Sequence, residues 1–585
     1  MSPPSRSRFR RANVVGFAVA AVIASARVAE VRLSALLDPD SHQKVGAFVH
    51  GLFPPDLSLS FLRVAALAAA RTVSIAVVGT VLSIAVALPL GILATATLFR
   101  RGPLFESEPR TPGGMLLSSL SALARALLGL LRAVPDLVWA LFFVVGVGLG
   151  PVAGVLALAV SYGGVLGRVF ADLFEDVDLR PLEALHATGA TRLQIFLFAI
   201  WPQARPSAVA YTLYSFECCV RAAAVLGLVG AGGIGYEIAL SMRNFDYGEI
   251  VPLVGALLVL VWLTDACSAA LRRVMRANAP PGLLGHEHLR QGLPRRASRA
   301  IVLGAVAAIV LACTAGVGFF DRDAFDTSTV SRMAHFARGL FPPDLTPAFL
   351  RTVLEPVVRT LGISVIGTLL GVVIGALLGI PATAAHAEDD PSRGVAWLVR
   401  LALRRLSRIA LSLLRAIPEV LWVLVFILAV GLGPFAGALA LGVHTGGVLG
   451  KLYADTFEEV SPLPLRGLRA TGATPLQILL WGAWPEARRM LISYTMLRWE
   501  MNLRTSTVVG IAGGGGIGIA LYNTMQLGFY PQMATLTLTV YLLVAATGWI
   551  GDAIRRSFAP ASHNVRRGRR RPRPTTRRPR ESANR

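Results

Sequence analysis

Charged side chains are scarce in this sequence, and lysine is almost missing from it. Of the 585 residues 16% are charged, and the only lysines are Lys44 and Lys451. Soluble chains of ordinary composition carry about 25% charged residues. Because 54% of the residues are hydrophobic and the mean hydropathy is +0.60, so little charge cannot cover the surface of a water-soluble fold. The composition indicates a protein whose solvent is largely lipid.

Cysteine is also rare, and the usual patterns of metal and nucleotide sites are missing. The four cysteines lie in apolar segments without paired C-x-x-C spacing, which is typical of small core residues. A P-loop needs G-x-x-x-x-G-K-[ST], and neither Lys44 nor Lys451 stands in that pattern. His186 and His444 are isolated, so we expect no metal site. We therefore predict no cofactor and no ATPase in this chain.

Long apolar runs are what the sequence has in abundance. Crossing about 30 Å of hydrocarbon takes roughly 20 helical residues. About six runs of that order in each half predict an all-α polytopic membrane protein with about twelve transmembrane helices. The runs lie near residues 13–29, 71–98, 116–149, 151–172, 206–229 and 249–270, and then near 299–320, 358–383, 408–433, 435–455, 489–512 and 532–551.

The two halves of the chain are copies of one unit. PLEALHATGATRLQ from Pro181 returns as PLRGLRATGATPLQ from Pro464 with ten of fourteen residues identical, and LRAVPDLVW from Leu131 returns as LRAIPEVLW from Leu414. Such a tandem duplication predicts a pseudo-twofold axis along the membrane normal. The predicted organisation is a first repeat at 1–278, a cytoplasmic linker at 279–298, a second repeat at 299–556 and a disordered basic cytoplasmic tail at 557–585.

Arginine gives the chain a formal charge of +23, and its position argues against a nucleic-acid partner. The basic clusters flank apolar runs near the N-terminus, in the linker and in the tail, where positive charge marks the cytoplasmic side. An even number of crossings then places both termini in the cytoplasm. The first run also resembles a signal peptide ending at Ala26. We favour a transmembrane helix, because an equivalent run at 301–320 precedes the second repeat.

An elaborate loop that we predict to be cytoplasmic occurs once in each repeat. In the first copy Pro181 can open a short helix, Glu183 suits its first turn, and Gly189 allows a sharp departure before the chain returns to the membrane at Pro202. This pattern predicts a helix-and-turn knob outside the bilayer, and a plain connecting loop is the alternative.

The loop resembles the E-A-A…G…I-x-L-P segment of bacterial ABC importer permeases, which docks on the ATPase. The second copy departs from that pattern, with Arg466 and Gly467 where the first copy has glutamate and alanine. This departure leaves equal coupling of the two repeats open. The candidate ATPase-coupling residues are Glu183, Ala184, Gly189, Pro202, Gly472 and Pro485.

A wider resemblance, to the permeases of phosphonate ABC importers, covers nearly both repeats. The strings that carry it are LRAIPEVLW, GLGPFAGALALGVHTGGVLGKLYAD, ATGAT, EMNLRTSTVVG and GLVGAGGIG. The first repeat departs with Cys219 at the position of Asn502 and Ser161-Tyr162 opposite His444-Thr445. The resemblance implies two separate ABC ATPase subunits or domains that bind ATP, an extracytoplasmic substrate-binding protein, and a place in the bacterial inner membrane.

Ionisable residues occur in runs predicted to span the membrane, where charge is costly and usually faces protein or a water-filled cavity. Glu217 and Arg221 stand four residues apart on one helical face, as do Glu500 and Arg504, with Asn502 nearby. Two interpretations stay open: these residues form structural ion pairs between helices, or they form a polar lining that passes an anion.

Prolines and glycines predict where helices break. The two copies of GLFPPDL, from Gly51 and Gly339, should interrupt helices outside the membrane. Pro135 and Pro418 should kink spanning helices, each between an arginine and an acid that we expect to be architectural. GAGGIG from Gly230 and its copy follow no β-strand, so we expect tight turns or close helix approach and no dinucleotide site.

These features predict a translocator and not an enzyme. We expect a permease that moves a small oxyanion, phosphonate foremost, into the cytoplasm when a partner ATPase closes. Phosphite, phosphate and methionine are alternative solutes, because the binding protein usually sets the substrate in this family. A secondary transporter would not need the paired knobs, and an enzyme would need a nucleophile, a base and an orienting group together.

The charge pattern makes a testable prediction about topology. Reporter fusions after Arg10, Leu284 and Arg573 should all be cytoplasmic, because basic clusters lie there. Alkaline phosphatase and fluorescent-protein reporters measure this directly, and one external result among the three contradicts the orientation. Sequencing the N-terminus of the mature chain is the companion measurement, since cleavage after Ala26 would show a signal peptide.

Overall fold

The computed structural model describes residues 20–32, 34, 38–99, 112–277, 295–320, 326–383 and 395–558. Every regular element within those ranges is helical. Nearly all of the predicted tail, most of the predicted linker and the start of the first apolar run lie outside the described residues. Helix formation at Arg295 begins within the range predicted as linker.

Within the described residues, nine helices of the first repeat correspond in order and length to nine of the second, which begins with one further helix, Arg295–Val317. The first repeat contains α1 (Pro39–Gly51), α2 (Leu59–Ala94), α3 (Pro112–Ala133), α4 (Asp136–Val147), α5 (Pro151–Glu175), α6 (Arg180–Ala187), α7 (Trp201–Leu226), α8 (Ile234–Asn244) and α9 (Ile250–Ala277). The second contains α10 (Arg295–Val317), α11 (Thr327–Gly339), α12 (Pro347–Ala382), α13 (Val395–Ala416), α14 (Glu419–Val430), α15 (Pro434–Glu458), α16 (Pro462–Ala470), α17 (Trp484–Val509), α18 (Ile517–Gln526) and α19 (Tyr530–Phe558). Shorter helical pieces are Ala96–Phe99, Arg192–Ile195, Pro475–Gln477, a 3-10 turn at Tyr247–Glu249, and π-helical stretches at Phe196–Ile200, Gly227–Ala231, Ile478–Ala483 and Gly510–Gly514.

Eight helices among the described residues are long and apolar enough to cross a membrane, and the number rises to ten if each of two sharply bent pairs counts as one span. The expected first segment of the second repeat appears as a shorter apolar helix, Gly304–Val317. The expected first segment of the chain is described only from residue 20. The all-α polytopic prediction is confirmed, with eight to ten of the expected crossings recognised by length and composition.

Both GLFPPDL copies interrupt helices as predicted: α1 ends at Gly51 and α2 begins at Leu59, and the second copy separates α11 from α12 in the same way. The aspartate of each copy orders the turn. The Ser58 amide donates to Asp56 at 2.8 Å and holds the pKa of that carboxyl below its usual value. In the second copy the Thr346 hydroxyl donates to Asp344 at 2.7 Å and lowers the pKa of that carboxyl in the same way.

The predicted kinks are full breaks. α3 ends at Ala133 and α4 begins at Asp136, with Pro135 extended between them. In the second repeat the two helices around Pro418 meet at an angle of 94°. Proline has no amide hydrogen and disfavours helical geometry in the residue before it, so both spans divide at the same place.

The breaks lie near the middle of the neighbouring spans. Gly164 stands about halfway along α5 and Gly447 about halfway along α15. A methyl group at Gly164 would lie 2.7 Å from the backbone nitrogen of Arg132. One at Gly447 would lie 2.7 Å from the backbone nitrogen of Arg415. Small residues of this kind let backbones approach closely in membranes. Gly164 and Gly447 therefore let the last turns of α3 and α13 pack at the midpoints of α5 and α15.

The repeats interlock at one end of the bundle. α1 packs on α14 of the other repeat and α11 packs on α4, while α10 packs on α2. The Arg332 Nε donates to the Gly146 carbonyl at 3.5 Å, and the Phe142 and Phe336 rings meet edge to face at 5.6 Å. Residues 25–29 pack against Gly362 of α12. Each repeat therefore completes the packing of the other.

Close packing at Gly447 generates a prediction about stability. Gly447→Ala should destabilise the fold by about 1–3 kcal/mol, the usual cost of overpacking, because the new methyl meets backbone atoms of Arg415 and Leu414. Gly129→Ala is the matched control, since a methyl there meets nothing within 4 Å. Thermal unfolding of the purified chain in detergent measures both. Equal midpoints would contradict the close approach of α13 and α15.

Candidate translocation pathway and coupling helices

The predicted knob is present in both repeats, on the end of the bundle that we name the coupling end, which carries α6 and α16. Gly189 follows α6 with φ of 81°, a left-handed conformation that favours glycine. The Ala190 amide then donates to the Leu185 carbonyl at 3.3 Å, which closes a Schellman turn. Gly472 repeats this with φ of 81°, and the matching bond is 3.4 Å long.

A capping pair completes each knob and explains the repeated ATGAT string with its following glutamine. The Thr191 amide donates to the Gln194 side chain at 2.8 Å, and the Gln194 amide returns a bond to the Thr191 hydroxyl at 3.4 Å. Thr474 and Gln477 form the same two bonds at 2.8 and 3.4 Å. This reciprocal arrangement is a capping box, so both knobs have one defined shape.

The knobs bury one face and expose the other. Leu182 of α6 is 1% exposed and Leu465 of α16 is 9% exposed, and each packs into an apolar cluster of its own repeat. Glu183, Ala184 and Arg466 are exposed. The knobs therefore present polar surfaces that differ at one matching position, which is Glu183 in the first repeat and Arg466 in the second.

Pro202 and Pro485 mark the return to the long spans, as predicted. Each lies in the first turn of its helix, α7 or α17, directly after a π-helical stretch. Proline supplies no amide to the preceding turn, and the wider π turn accommodates that loss. The Gln203 side chain also donates to the Ala199 carbonyl at 2.8 Å. The spans thus leave the knobs without a sharp break.

Arg221 and Arg504 do not pair with the acid one turn away on their own helices, so the choice between ion pairs between helices and a path lining stays open. Glu217 and Arg221 lie on α7, and Glu500 and Arg504 lie on α17. Neither arginine forms an ion pair within 4.0 Å with a carboxylate of the described residues. The Glu500 carboxylate instead faces Gly548 of α19, 3.6 Å from the position of a methyl group there.

Asn502 is the centre of a buried polar contact between three helices. Its side-chain amide donates to the Thr368 hydroxyl of α12 at 2.9 Å, and the Thr445 hydroxyl of α15 donates to its carbonyl oxygen at 2.9 Å. Asn502 is 1% exposed. Cys219, its counterpart in the first repeat, is equally buried but offers only a weak thiol donor. Asn502 therefore joins three helices, and its place in a translocation path stays a prediction.

Sequence reasoning missed an acid–histidine contact at the break of the second repeat. The His444 Nε2 lies 3.7 Å from the Glu419 carboxylate, and its Nδ1 lies 3.1 Å from the Ile417 carbonyl. Because a carbonyl only accepts, Nδ1 carries the hydrogen and Nε2 faces the acid. Both residues stood in the quoted strings LRAIPEVLW and GVHTGG, but only the fold brings those strings together.

Two arginines of α17 lie near charged groups at the helix breaks. Arg504 lies within electrostatic range of Arg132 and Asp136 of the first repeat. Arg498 lies within range of Glu419 and of Arg221 in the first repeat. Sequence reasoning missed Arg498 as well. A signal existed, since its counterpart in the first repeat is a serine at 215.

A cavity of about 560 Å³ lies on the other side of the breaks, away from the coupling end, and both repeats line it. Most of its wall is aliphatic, with Tyr236, Arg243, Tyr522 and Gln526 as polar exceptions. Leu137 and Val420 belong to the wall and directly follow Asp136 and Glu419. The cavity thus reaches to within one residue of the charged cluster.

Glycine-rich turns close this end of the molecule, in agreement with the tight turns predicted for them. Gly230 has φ of 100°, and its carbonyl accepts from the Gly150 amide at 3.0 Å. The Thr72 hydroxyl accepts from the Ile234 amide at 2.9 Å, and Thr360 serves the second repeat in the same way. Across the described residues no three His, Cys, Asp or Glu side chains group as metal ligands.

Two interlocked helical repeats, each with a broken span, a polar interior and a knob outside the long helices, define a membrane transport subunit. The chain belongs to the family of binding-protein-dependent transport system inner membrane components, whose pattern matches residues 112–278 and 395–563. It is therefore an ABC importer permease, here with the family unit present twice.

The chain is similar over most of its length to the phosphate-import permease protein PhnE of Mycolicibacterium smegmatis, with 31% identity across 91% of this chain and 92% of that protein. It is 33% identical to the phosphite transport system permease protein PtxC of Stutzerimonas stutzeri, over 44% of this chain and 88% of the relative. A structure of the MetNI methionine ABC transporter matches 37% of this chain and 100% of its own at 21% identity, with a TM-score of 0.33.

The knob geometry predicts that Gly472 matters for coupling to the ATPase. Gly472→Ala should strain the turn by about 1–2 kcal/mol, because an alanine disfavours left-handed geometry, and uptake and ATP hydrolysis by the assembled transporter should fall together. Gly467→Ala is the matched control, since Gly467 lies within α16 and a methyl there meets nothing within 4 Å. Normal coupling in Gly472→Ala would show that the knob only connects helices.

Proposed function

We propose that this chain translocates a small oxyanion, phosphonate foremost, into the cytoplasm. The observation that carries the proposal is the meeting of arginines from both repeats at the helix breaks, where Arg504 approaches Arg132 and Arg498 approaches Arg221. Charge at this depth is costly and usually serves transport or pairing. Guanidinium groups match the geometry of phosphoryl oxygens.

The names of relatives support the same substrate class. The phosphate-import and phosphite permeases described above are accompanied by a cryptic phosphonate permease of Escherichia coli, 38% identical over 98% of its length. A methionine permease of Vibrio cholerae is less similar, at 26% identity over 34% of this chain. Phosphonate, phosphite and phosphate share a tetrahedral phosphorus oxyanion, which the arginines favour over a zwitterionic amino acid.

The power source in this proposal is a separate pair of ATPase subunits or domains. ATP would bind there, because the sequence of this chain contains no P-loop. The exposed faces of α6 and α16 are the docking surfaces, and both termini would lie on that side. An extracytoplasmic binding protein would deliver the oxyanion to the cavity at the opposite end.

Reconstitution tests this function. The chain, an ATPase subunit and a binding protein encoded beside it are placed in proteoliposomes, and ATP-dependent uptake of radiolabelled methylphosphonate is measured. We expect phosphite and phosphate to compete and methionine not to compete. Vesicles without the ATPase are the control, and they should show no uptake. Uptake without ATP would indicate a secondary transporter, and competition by methionine alone would contradict the oxyanion assignment.

A further inference from the structure

The cavity of about 560 Å³ that both repeats line has one charged side chain among the described residues of its wall, Arg243 of α8. The Arg243 guanidinium forms no ion pair within 4.0 Å with a carboxylate of the described residues. Tyr236, Tyr522 and Gln526 are polar, and the other described wall residues are apolar or glycine. A lone cation in a mostly aliphatic cavity can pair with one anion that enters from outside.

The elements around the cavity place Arg243 at its outer end. Arg243 is the tenth of the eleven residues of α8 and is exposed. The chain then reaches Gly248, whose carbonyl accepts from the Asp56 amide of the first GLFPPDL turn at 3.0 Å. The opposite end of the cavity is bounded by Leu137 and Val420, which directly follow the acids at the two helix breaks. The cavity therefore leads from an arginine on the outside to the breaks inside.

Between its two ends the cavity has an aliphatic wall. Leu137, Leu141 and Val144 line it from one face of α4, since residues three and four apart share a helical face. Seven residues of helix span about 10 Å. α14 contributes Val420 and Leu424 in the same way. A bare anion would lose hydrogen bonds to water along this wall, whereas a hydrocarbon group would gain from burial there.

The size and the asymmetry of the cavity fit one small organic anion. Sites for small molecules are usually mostly apolar cavities of about 300–1,000 Å³ in which a few polar groups fix the orientation of the ligand. Gln526, the tenth residue of α18, stands where α8 has Arg243, and it lines the same cavity. The two repeats therefore supply one cationic position at this pair of sites, which suits a ligand with one anionic group.

We propose that this cavity binds one organophosphonate, with the phosphonate oxygens on Arg243 at the outer end and the carbon substituent against the aliphatic wall. A guanidinium group can bind two such oxygens through parallel hydrogen bonds. The inference rests on the proposed oxyanion transport. It adds a receiving site, the residues of that site and the class of substrate that the site favours, which is a phosphonate with an apolar substituent over bare phosphate or phosphite.

A ligand series tests the contact with the wall. Ligand-observed phosphorus NMR measures binding of phosphate, methylphosphonate, ethylphosphonate and propylphosphonate to the chain assembled with its ATPase in nanodiscs, without nucleotide or binding protein. Each added methylene should tighten the affinity by about 3- to 4-fold, the effect of moving one methylene out of water, and phosphate should bind most weakly. Empty nanodiscs are the control for partition into lipid. Equal affinities across the series would overturn the proposal.

Substitution of Arg243 tests the contact with the anion. Arg243→Gln should weaken propylphosphonate binding by about 10- to 100-fold, the effect of losing a charge-assisted contact. Arg63→Gln is the matched control and should bind normally, because Arg63 is exposed near the start of α2 but does not line the cavity. Combining Arg243→Gln with Gln526→Arg moves the cation to the matching position of the other repeat and should restore binding. Unchanged affinity in Arg243→Gln contradicts the site.

Leu240→Asn tests the wall without removing the cation. Leu240 lies one turn before Arg243 on α8, lines the cavity and is 40% exposed, so a polar side chain there should leave the fold intact. The gain in affinity from each added methylene should become smaller in this variant. The same gain as in the wild type would show that the substituent does not reach this part of the wall.

The outcomes separate the site from the proposed function. ATP-dependent uptake of methylphosphonate by a chain whose binding depends neither on chain length nor on Arg243 refutes the site alone. Binding with both dependences but without ATP-dependent uptake refutes the proposed function alone. Failure of uptake together with failure of binding refutes both.

Discussion

Breaking a membrane-spanning helix at half depth creates backbone donors and acceptors where no water is present to satisfy them. A bilayer core tolerates such a break only where protein or a water-filled cavity surrounds it. In this chain both breaks, at Pro135 and Pro418, are surrounded by the other repeat and by polar side chains. The pairing of the repeats, the small residues of α5 and α15 and the arginines of α7 and α17 all follow from that requirement.

The helix dipoles add to the effect. α4 and α14 begin at the breaks, so their amino-terminal ends, which carry partial positive charge, point into the interior. Asp136 and Glu419 occupy the first helical position of each and offset that potential. Discontinuous helices in transporters commonly direct such ends at anionic groups. The break therefore contributes to recognition as well as to shape.

Much of this was predictable from local pattern. Hydrophobic runs predicted the spans, the proline strings predicted the interruptions, and Gly189 and Gly472 predicted turns that have left-handed geometry in the structure. These features depend on a few neighbouring residues. The expectation for Glu217 with Arg221, and for Glu500 with Arg504, rested only on helical spacing. Contacts with other helices decide side-chain direction, and the sequence of one helix does not contain them. The approach of Arg498 to Arg221 and the contact of His444 with Glu419 depend on the same long-range packing.

The crossed packing of α1 on α14 and α11 on α4 has a consequence for assembly. In a permease made of two identical subunits, any residue placed near the axis occurs twice, and an interface must complement itself. Joining the repeats in one chain removes that restriction. It also raises the effective concentration of each repeat for the other to the millimolar range typical of linked modules. Unlike halves then assemble in a fixed ratio, and a residue such as Arg498 can occur once in the pathway without a matching copy across from it.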